Sequence, residues 1–440
     1  MKTFRIVGVA ALMTTSLLFQ GCGYRAPMHA SDIPEVQEDA YYDGVRSDYQ
    51  ELAALMVKDT GMEPTTGNTV GLVNDQHQKF ELLFDDVSKA EESIYIDHYR
   101  FCYDSCGSQI ADLLIDQAAA GKDVRVIIDK GAHKKEDMKG HAPLVNSQVD
   151  FFYFRFPVML LDHLSLAQGT HRDHRKIVIL DGKTAYTGGR NIQDRYFETW
   201  RDADIRVTGP AVNDLISTFN ENQFRVAPDR EPVPGTPEEV LRTAAVHDSV
   251  PGLRQFYDKT MQVIPDSPTD RRLPIRNAFL WSIDHARNYF WFYNPYTPPP
   301  AQIIKALKNA AARGVDVRWI VPANNDVKPE KWMGESMYKD LLKAGVRIYE
   351  YQGPVLHVKQ FMVDDYLSCI GSANMDNLSF FLNYEVQTLI FDEEFTRHAS
   401  EIFEEDIEEH CQEITLEEVR HWSIFRKIRN GFVRWFGPLG

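Results

Sequence analysis

The sequence predicts an α/β protein made of two duplicated lobes, each a mixed β-sheet flanked by helices, with the lobes related by a pseudo-twofold axis. Three observations predict it. Strand-like and helix-like stretches alternate, the pattern of an α/β sheet: Ser93–His98 alternates as a strand, Ile110–Ala120 has helical apolar spacing, and Val124–Ile128 reads as a buried strand. That order then recurs. Lys89-Ala90 before Ile94-Tyr95-Ile96 resembles His285-Ala286 before Phe290-Trp291-Phe292, and Gly121-Lys122-Asp123-Val124-Arg125 resembles Gly314-Val315-Asp316-Val317-Arg318. Offsets of 196 and 193 residues mark repetition of a whole domain, not a solenoid. Finally, one set of polar residues is repeated at identical spacing 183 residues apart. A chain of 440 residues, 43% hydrophobic and 25% charged, is large enough for two such lobes.

The segments follow in order. Lys2 and Arg5 precede an uncharged apolar run, Ile6 to Phe19, which ends at Gln20-Gly21-Cys22. The run is shorter than the roughly 20 residues a membrane-spanning helix needs, so residues 1–21 read as a secretory signal. The arrangement resembles a bacterial lipoprotein signal, in which Cys22 is lipidated and becomes the mature N-terminus. Gly23, where a retention-type signal has Asp, points to a periplasmic chain anchored at the outer membrane. Residues 22–73, polar and marked by Pro27, Pro34, Pro64 and Gly67, read as a tether and an N-terminal helix. The first lobe is expected over 74–227, beginning with a helix over Gln78–Ala90 whose apolar positions are Phe80, Leu83, Phe84 and Val87. Residues 228–274, rich in proline and charge, read as the connection between lobes, with a helix over Pro237–Ala245. The second lobe is expected over 275–410. The tail, 411–440, has no acidic residue after Glu418 and interleaves Arg420, Arg426, Lys427, Arg429 and Arg434 with Trp422, Phe425, Ile428, Phe432 and Trp435. This is the composition of an interfacial amphipathic helix, or of a terminal helix docked on the core. Cys102 and Cys106 are either paired, as an oxidising compartment allows, or free; the cysteine pattern does not suggest zinc.

The repeated polar set is His174-Arg175-Lys176, Asp181, Gly188-Gly189-Arg190-Asn191 and, in the second copy, His357-Val358-Lys359, Asp364, Gly371-Ser372-Ala373-Asn374. Lys stands at +2, Asp at +7, Gly at +14 and Asn at +17 from each histidine, and a carboxylate, Asp202 or Glu385, at +28. In a strand, residues i and i+2 share a face, so each His–Lys pair points one way. Two lobes meeting about a pseudo-twofold would bring two imidazoles and two ammonium groups to one site. A phosphodiester is an anion, and its non-bridging oxygens call for donors of the Lys176, Lys359, Asn191 and Asn374 kind. One imidazole attacks phosphorus and the other serves as acid and then base. A nucleophilic histidine needs its far nitrogen held by an acceptor, and Asp202 and Glu385 suit that role. Gly188-Gly189 and Gly371-Ser372 allow close backbone approach before the asparagines. Asp181 and Asp364 open turns and read as structural, at a strand end or the lobe interface. His171 and Arg172 read as rim residues, and His133, His141 and His163 as exposed loop residues.

These paired motifs resemble those of the phospholipase D superfamily over about residues 75–400. Within it the chain is similar to bacterial cardiolipin synthases, through Gly188-Gly189-Arg190-Asn191-Ile192, Trp200-Arg201-Asp202, Asn294-Pro295-Tyr296, Gly345-Val346-Arg347-Ile348-Tyr349-Glu350-Tyr351 and Gly371-Ser372-Ala373-Asn374-Met375-Asp376 running on to Asn383-Tyr384-Glu385. The resemblance implies a phosphatidyltransferase that works through a phosphohistidine on His174. It would convert two phosphatidylglycerol molecules to cardiolipin and glycerol, at a membrane surface and with no metal or other cofactor. A hydrolase of the same chemistry, a phospholipase D or a nuclease with water as acceptor, has the same residues. A net charge of −16 and the aromatic, basic tail disfavour nucleic acid. Two complete motifs disfavour a binding protein without catalysis.

Overall fold

The computed structural model describes residues 41–154, 171–296 and 299–434. The expected signal and Cys22 lie outside the described residues, as does His163.

Sixteen strands form one sheet among the described residues. The first half contributes β1 (Thr65–Val73), β2 (Ser93–His98), β3 (Asp123–Asp129), β4 (Asp150–Phe154), β5 (Arg172–Asp173), β6 (Lys176–Leu180), β7 (Thr184–Gly188) and β8 (Asp204–Thr208). The second contributes β9 (Gln255–Asp266), β10 (Tyr289–Tyr293), β11 (Asp316–Pro322), β12 (Arg347–Tyr351), β13 (Gln360–Val363), β14 (Leu367–Gly371), β15 (Asn383–Phe391) and β16 (Cys411–Ile414). Across the sheet the order is β16-β12-β11-β10-β13-β14-β15-β9-β1-β8-β7-β6-β2-β3-β4, with β5 beside β15. About the β9–β1 boundary seven strands of each half match in order, β1-β8-β7-β6-β2-β3-β4 against β9-β15-β14-β13-β10-β11-β12, and β16 extends the second half by one. The triples β2-β3-β4 and β10-β11-β12 are parallel, and the remaining neighbours in each half are antiparallel. The mixed sheet and the pseudo-twofold are as the sequence predicts.

The expected lobe boundaries need correction. Residues 22–73 are not only tether and helix, and 228–274 is not only a connection: each contains the first strand of a lobe, β1 and β9. These two pair antiparallel at the centre of the molecule and join the lobes. Neither shows a clean period of two. In β1, Gly67 adopts φ +77° and the register with β9 shifts on either side of Asn68. Asn68 is buried and satisfied by bonds to the backbone of Thr65, Lys259 and Ala211. A polar, glycine-bearing strand that bonds through its side chains gives no hydrophobic pattern to read.

The principal helices are α1 (Gln50–Thr60), α2 (Gln76–Lys89), α3 (Ser105–Ala119), α4 (Ala211–Val226), α5 (Glu238–His247), α6 (Pro274–His285), α7 (Ala301–Ala312), α8 (Lys328–Ala344), α9 (Glu393–His410) and α10 (Ile424–Arg434). Several start where an aspartate caps the first turn: Asp75 on α2, Asp104 on α3 and Asp392 on α9. α2 and α3 cover one face of the first lobe over Leu83, Ile94, Ile110 and Val178. α1, α6, α7 and α8 cover the equivalent face of the second. α4 and α9 cover the other face of both lobes, where one cluster runs from Val70 and Ile177 through Val263 to Ile370 and Phe403.

Asp181 and Asp364 sit at strand ends, away from the lobe interface, in identical roles. Each takes a left-handed conformation, φ 52° and 50°. Asp181 accepts the N–H groups of Glu91, Glu92 and Ser93, and Asp364 those of Arg287, Asn288 and Tyr289, where the chain enters β2 and β10. His133 and His141 are not exposed loop residues. Both are buried against the first lobe, where His141 Nε2 lies 2.6 Å from the Phe101 carbonyl and His133 Nδ1 2.8 Å from that of Asp129. Cys102 and Cys106 are buried and unlinked.

Candidate active site

The two histidines do not lie within strands. His174 follows β5 and His357 precedes β13, each in a short extended link where one lobe touches the other. The His174 N–H donates to the Tyr384 carbonyl (2.9 Å) and the His357 N–H to the Arg201 carbonyl (2.7 Å). Each acceptor immediately precedes one of the two carboxylates. The carboxylates therefore reach across the lobes. His174 Nδ1 lies 2.9 and 3.0 Å from the oxygens of Glu385, and His357 Nδ1 lies 2.7 Å from Asp202 Oδ2. A carboxylate facing Nδ1 fixes the Nδ1–H tautomer and leaves the Nε2 lone pair as the reactive one. All four groups are buried: His174 is 9% exposed, His357 3%, Asp202 and Glu385 0%.

The expected sharing of a face by His and Lys arises differently from a strand alternation. Lys176 Nζ reaches back to the His174 carbonyl and Lys359 Nζ to the His357 carbonyl, both at 2.6 Å. Lys359 Nζ also lies 2.9 and 3.1 Å from the two ring nitrogens of His357. Burial brings Lys176 down to about 7, against the pull of Glu385, and Lys359 to about 8, against that of Asp202. Asn191 is buried beside Lys176 and Asn374 is half-buried, and the Oδ1 of each has no partner among the described residues.

The close approaches expected at the glycines are real. A Cβ on Gly189 would stand 2.2 Å from Asp202 Oδ1, and one on Gly371 2.2 Å from the Val386 carbonyl. In the second lobe the position of Gly189 is taken by Ser372, and this breaks the symmetry. The Ser372 and Ser379 hydroxyls donate to Glu385 at 2.6 and 2.7 Å. Burial works to raise the Glu385 carboxyl, but His174, its hydrogen bond, Lys176 and Ser372 outweigh it and bring Glu385 down to about 2. Among the described residues Asp202 has no hydroxyl partner; burial raises it despite Lys359, Arg190 and the Ala203 N–H. Burial lowers both imidazoles and Lys176 and Lys359 push both further down; Glu385 opposes this at His174. The resulting state is two neutral imidazoles backed by carboxylates, in a pocket rich in cationic donors. Such a pocket can hold a phosphodiester between two bases.

The family described as cardiolipin synthase, PLD-like domain, matches this chain twice, at residues 83–222 and 280–407. The chain belongs to that family. Relatives include "Cardiolipin synthase 2" of Bacillus anthracis, 33% identical over 73% of this chain, which spans 61% of that protein. "Cardiolipin synthase" of Clostridium perfringens is 29% identical over 90% of this chain and 82% of its own length, and the "Major cardiolipin synthase ClsA" of Bacillus subtilis 30% identical over 83% and 74%. Phosphatidylserine synthase of Haemophilus influenzae shares the fold, with a TM-score of 0.63 at 15% identity over 84% of this chain and 93% of that one.

Within this cardiolipin synthase-type framework, several neighbours of the site were not singled out in the sequence. Arg175, between His174 and Lys176, is fully buried and binds the Glu385 carbonyl, the Asp266 carbonyl and the Glu221 carboxylate, tying the first lobe to β15 and β9. Arg190 binds Asp204 and the carbonyls of Val73, Asn74 and Asp202, fixing the loop that carries Asp202. The second copy has Val358 and Ala373 at these places, so broken symmetry between the copies was the available signal. Aromatic rings wall the histidines unequally. Tyr99 stands against His174, with ring centroids 4.7 Å apart, while Tyr196, Trp200 and Tyr296 surround His357 at 5.2, 5.5 and 5.3 Å. Of the expected rim residues, Arg172 pairs with the buried Asp129 at 2.9 Å, and His171 is half-buried.

Proposed function

We propose that this chain is a phosphatidyltransferase acting on phospholipid phosphodiesters, with cardiolipin synthesis from two phosphatidylglycerol molecules as its reaction. The observation that carries the reading is the crossed pair: two buried imidazoles, each oriented by the other lobe's carboxylate and both under the influence of Lys176 and Lys359. His174 Nε2 attacks phosphorus, forming the N–P bond of a phosphatidyl-histidine. The P–O bond to glycerol breaks, and the leaving oxygen takes a proton from His357 Nε2. The hydroxyl of a second phosphatidylglycerol then gives its proton to His357 as its oxygen attacks phosphorus, and the N–P bond breaks. Lys176, Lys359, Asn191 and Asn374 stabilise charge on the non-bridging oxygens. The unequal carboxylates support His174 as nucleophile. A phosphorylated imidazole is cationic, and Glu385, held anionic by its hydroxyl partners, is the better counter-ion. His357 must gain a proton before it can act as acid, and the bound anion raises its affinity for one.

Thin-layer analysis of products from phosphatidylglycerol in mixed vesicles tests this. Cardiolipin with glycerol is expected. Phosphatidic acid alone would mean water is the acceptor, and full activity of His174→Ala or His357→Ala would remove the shared site. The reading places the chain at the periplasmic side of the outer membrane, anchored through Cys22. Metabolic labelling with palmitate should mark the wild type and not Cys22→Ser.

A further inference from the structure

The tail helix α10 is docked inside out. An amphipathic helix ordinarily turns its apolar side to the protein and its charges to water. Here the charged side faces inward. Glu335 of α8, itself 4% exposed, accepts Arg426 Nη2 at 3.0 Å, Arg429 Nη2 at 2.6 Å and Asn430 Nδ2 at 3.0 Å. The Arg426 guanidinium stacks 3.7 Å over Trp422 and that of Arg429 4.7 Å over Trp332. The outward side is apolar: Ile424, Phe425, Ile428 and Phe432 are 63, 81, 62 and 56% exposed. At about 100° per residue these four fall within about 100° of the helix circumference; Arg426 and Asn430 lie across from them, with Arg429 between. A buried carboxylate with three partners sets this orientation, so the exposed side is built rather than left over.

We infer that this face is the docking surface for a bilayer bearing anionic headgroups. The charge beside it selects that occupant: no acidic residue follows Glu418, and Arg420 and Lys427 are exposed at its edge. Aliphatic and phenyl side chains enter the acyl boundary while the flanking cations meet phosphates. The helix that holds α10 also reaches the active site. Asp326, just before α8, pairs with Arg195 beside the His357 aromatic wall, and Glu335 lies two turns along α8, about 10 Å from its start. A docked α10 thus sets the cleft at a fixed height above the lipid surface. The inference rests on the phospholipid-substrate reading and extends it to how the enzyme meets its substrate.

The test uses the full chain with p-benzoylphenylalanine placed at position 425, photolysed with vesicles of phosphatidylglycerol and phosphatidylcholine. A lipid adduct is expected; a cross-link between two copies of the chain, or no adduct, would overturn the surface. In parallel, the Phe425→Glu, Ile428→Glu double variant should lose at least tenfold in turnover of vesicular phosphatidylglycerol. It should keep dihexanoyl phosphatidylglycerol turnover, below the micelle concentration, within twofold of wild type. Equal vesicle turnover in variant and wild type would also overturn it. If the wild type turns over neither lipid, the substrate reading fails, and the photoadduct alone decides the surface.

Discussion

Glu385 is the residue on which the asymmetry of the site turns. Replacing it by Gln keeps the volume and the Ser372 and Ser379 contacts but offers Nδ1 of His174 an amide that can rotate to donate. That favours the wrong tautomer and occupies the Nε2 lone pair with a proton. Glu385→Gln should lower kcat about 10⁴-fold, the scale of tautomer loss in a histidine–carboxylate pair, and a loss below tenfold would remove Glu385 from this role. The lysines give the pH dependence. Lys176 and Lys359 lose charge as pH rises through about 7 and about 8 in the free protein, so kcat/KM should fall across that window. A bound phosphodiester anion raises both, so the alkaline limb of kcat should lie at higher pH. Coincident limbs would contradict the placement of these ammonium groups at the phosphate. The identities of His174, Lys176, His357, Lys359, Asp202 and Glu385 were legible because spacing from each histidine is repeated. Which carboxylate serves which imidazole was not legible, because spacing inside one lobe carries no information about contacts with the other.

The turns at Asp181 and Asp364 show what an element needs. A residue at φ near +50° costs energy for any side chain but glycine, yet glycine would leave three N–H groups at the head of β2 or β10 without their acceptor. Asp181→Ala should destabilise the protein by about 2 kcal/mol and lower Tm by a few degrees, while Asp181→Asn should recover part of the loss. A thermal melt of Asp181→Ala that coincides with wild type would deny the turn that role. Such turns could be read from Asp-Gly and Asp-Asp alone. The strands β1 and β9 could not, since β1 bonds through Asn68 and bulges at Gly67, and β9 is half polar. Hydrophobic period reports burial of one face, and neither strand has a simple face to report.

At the scale of the molecule, the sheet runs unbroken from β16 to β4 and one apolar cluster crosses the pseudo-twofold. Arg175 adds a buried polar tie between β15, β9 and the first lobe. With so much shared interior, the lobes should melt together. Scanning calorimetry is expected to show one cooperative transition for the two lobes, and two separated transitions would mean the lobes are independent domains. The duplication was visible in the sequence; that the copies are welded through a central pair of strands was not, since those strands lay in the stretches that looked like linkers.

The exchange of carboxylates between lobes also bears on genetics. Although the architecture is doubled, it holds nothing in reserve: damage to the acid of one half disables the base of the other. Two alleles, one broken in each half, should fail to complement unless their products can trade halves, so repetition here confers dependence and no redundancy.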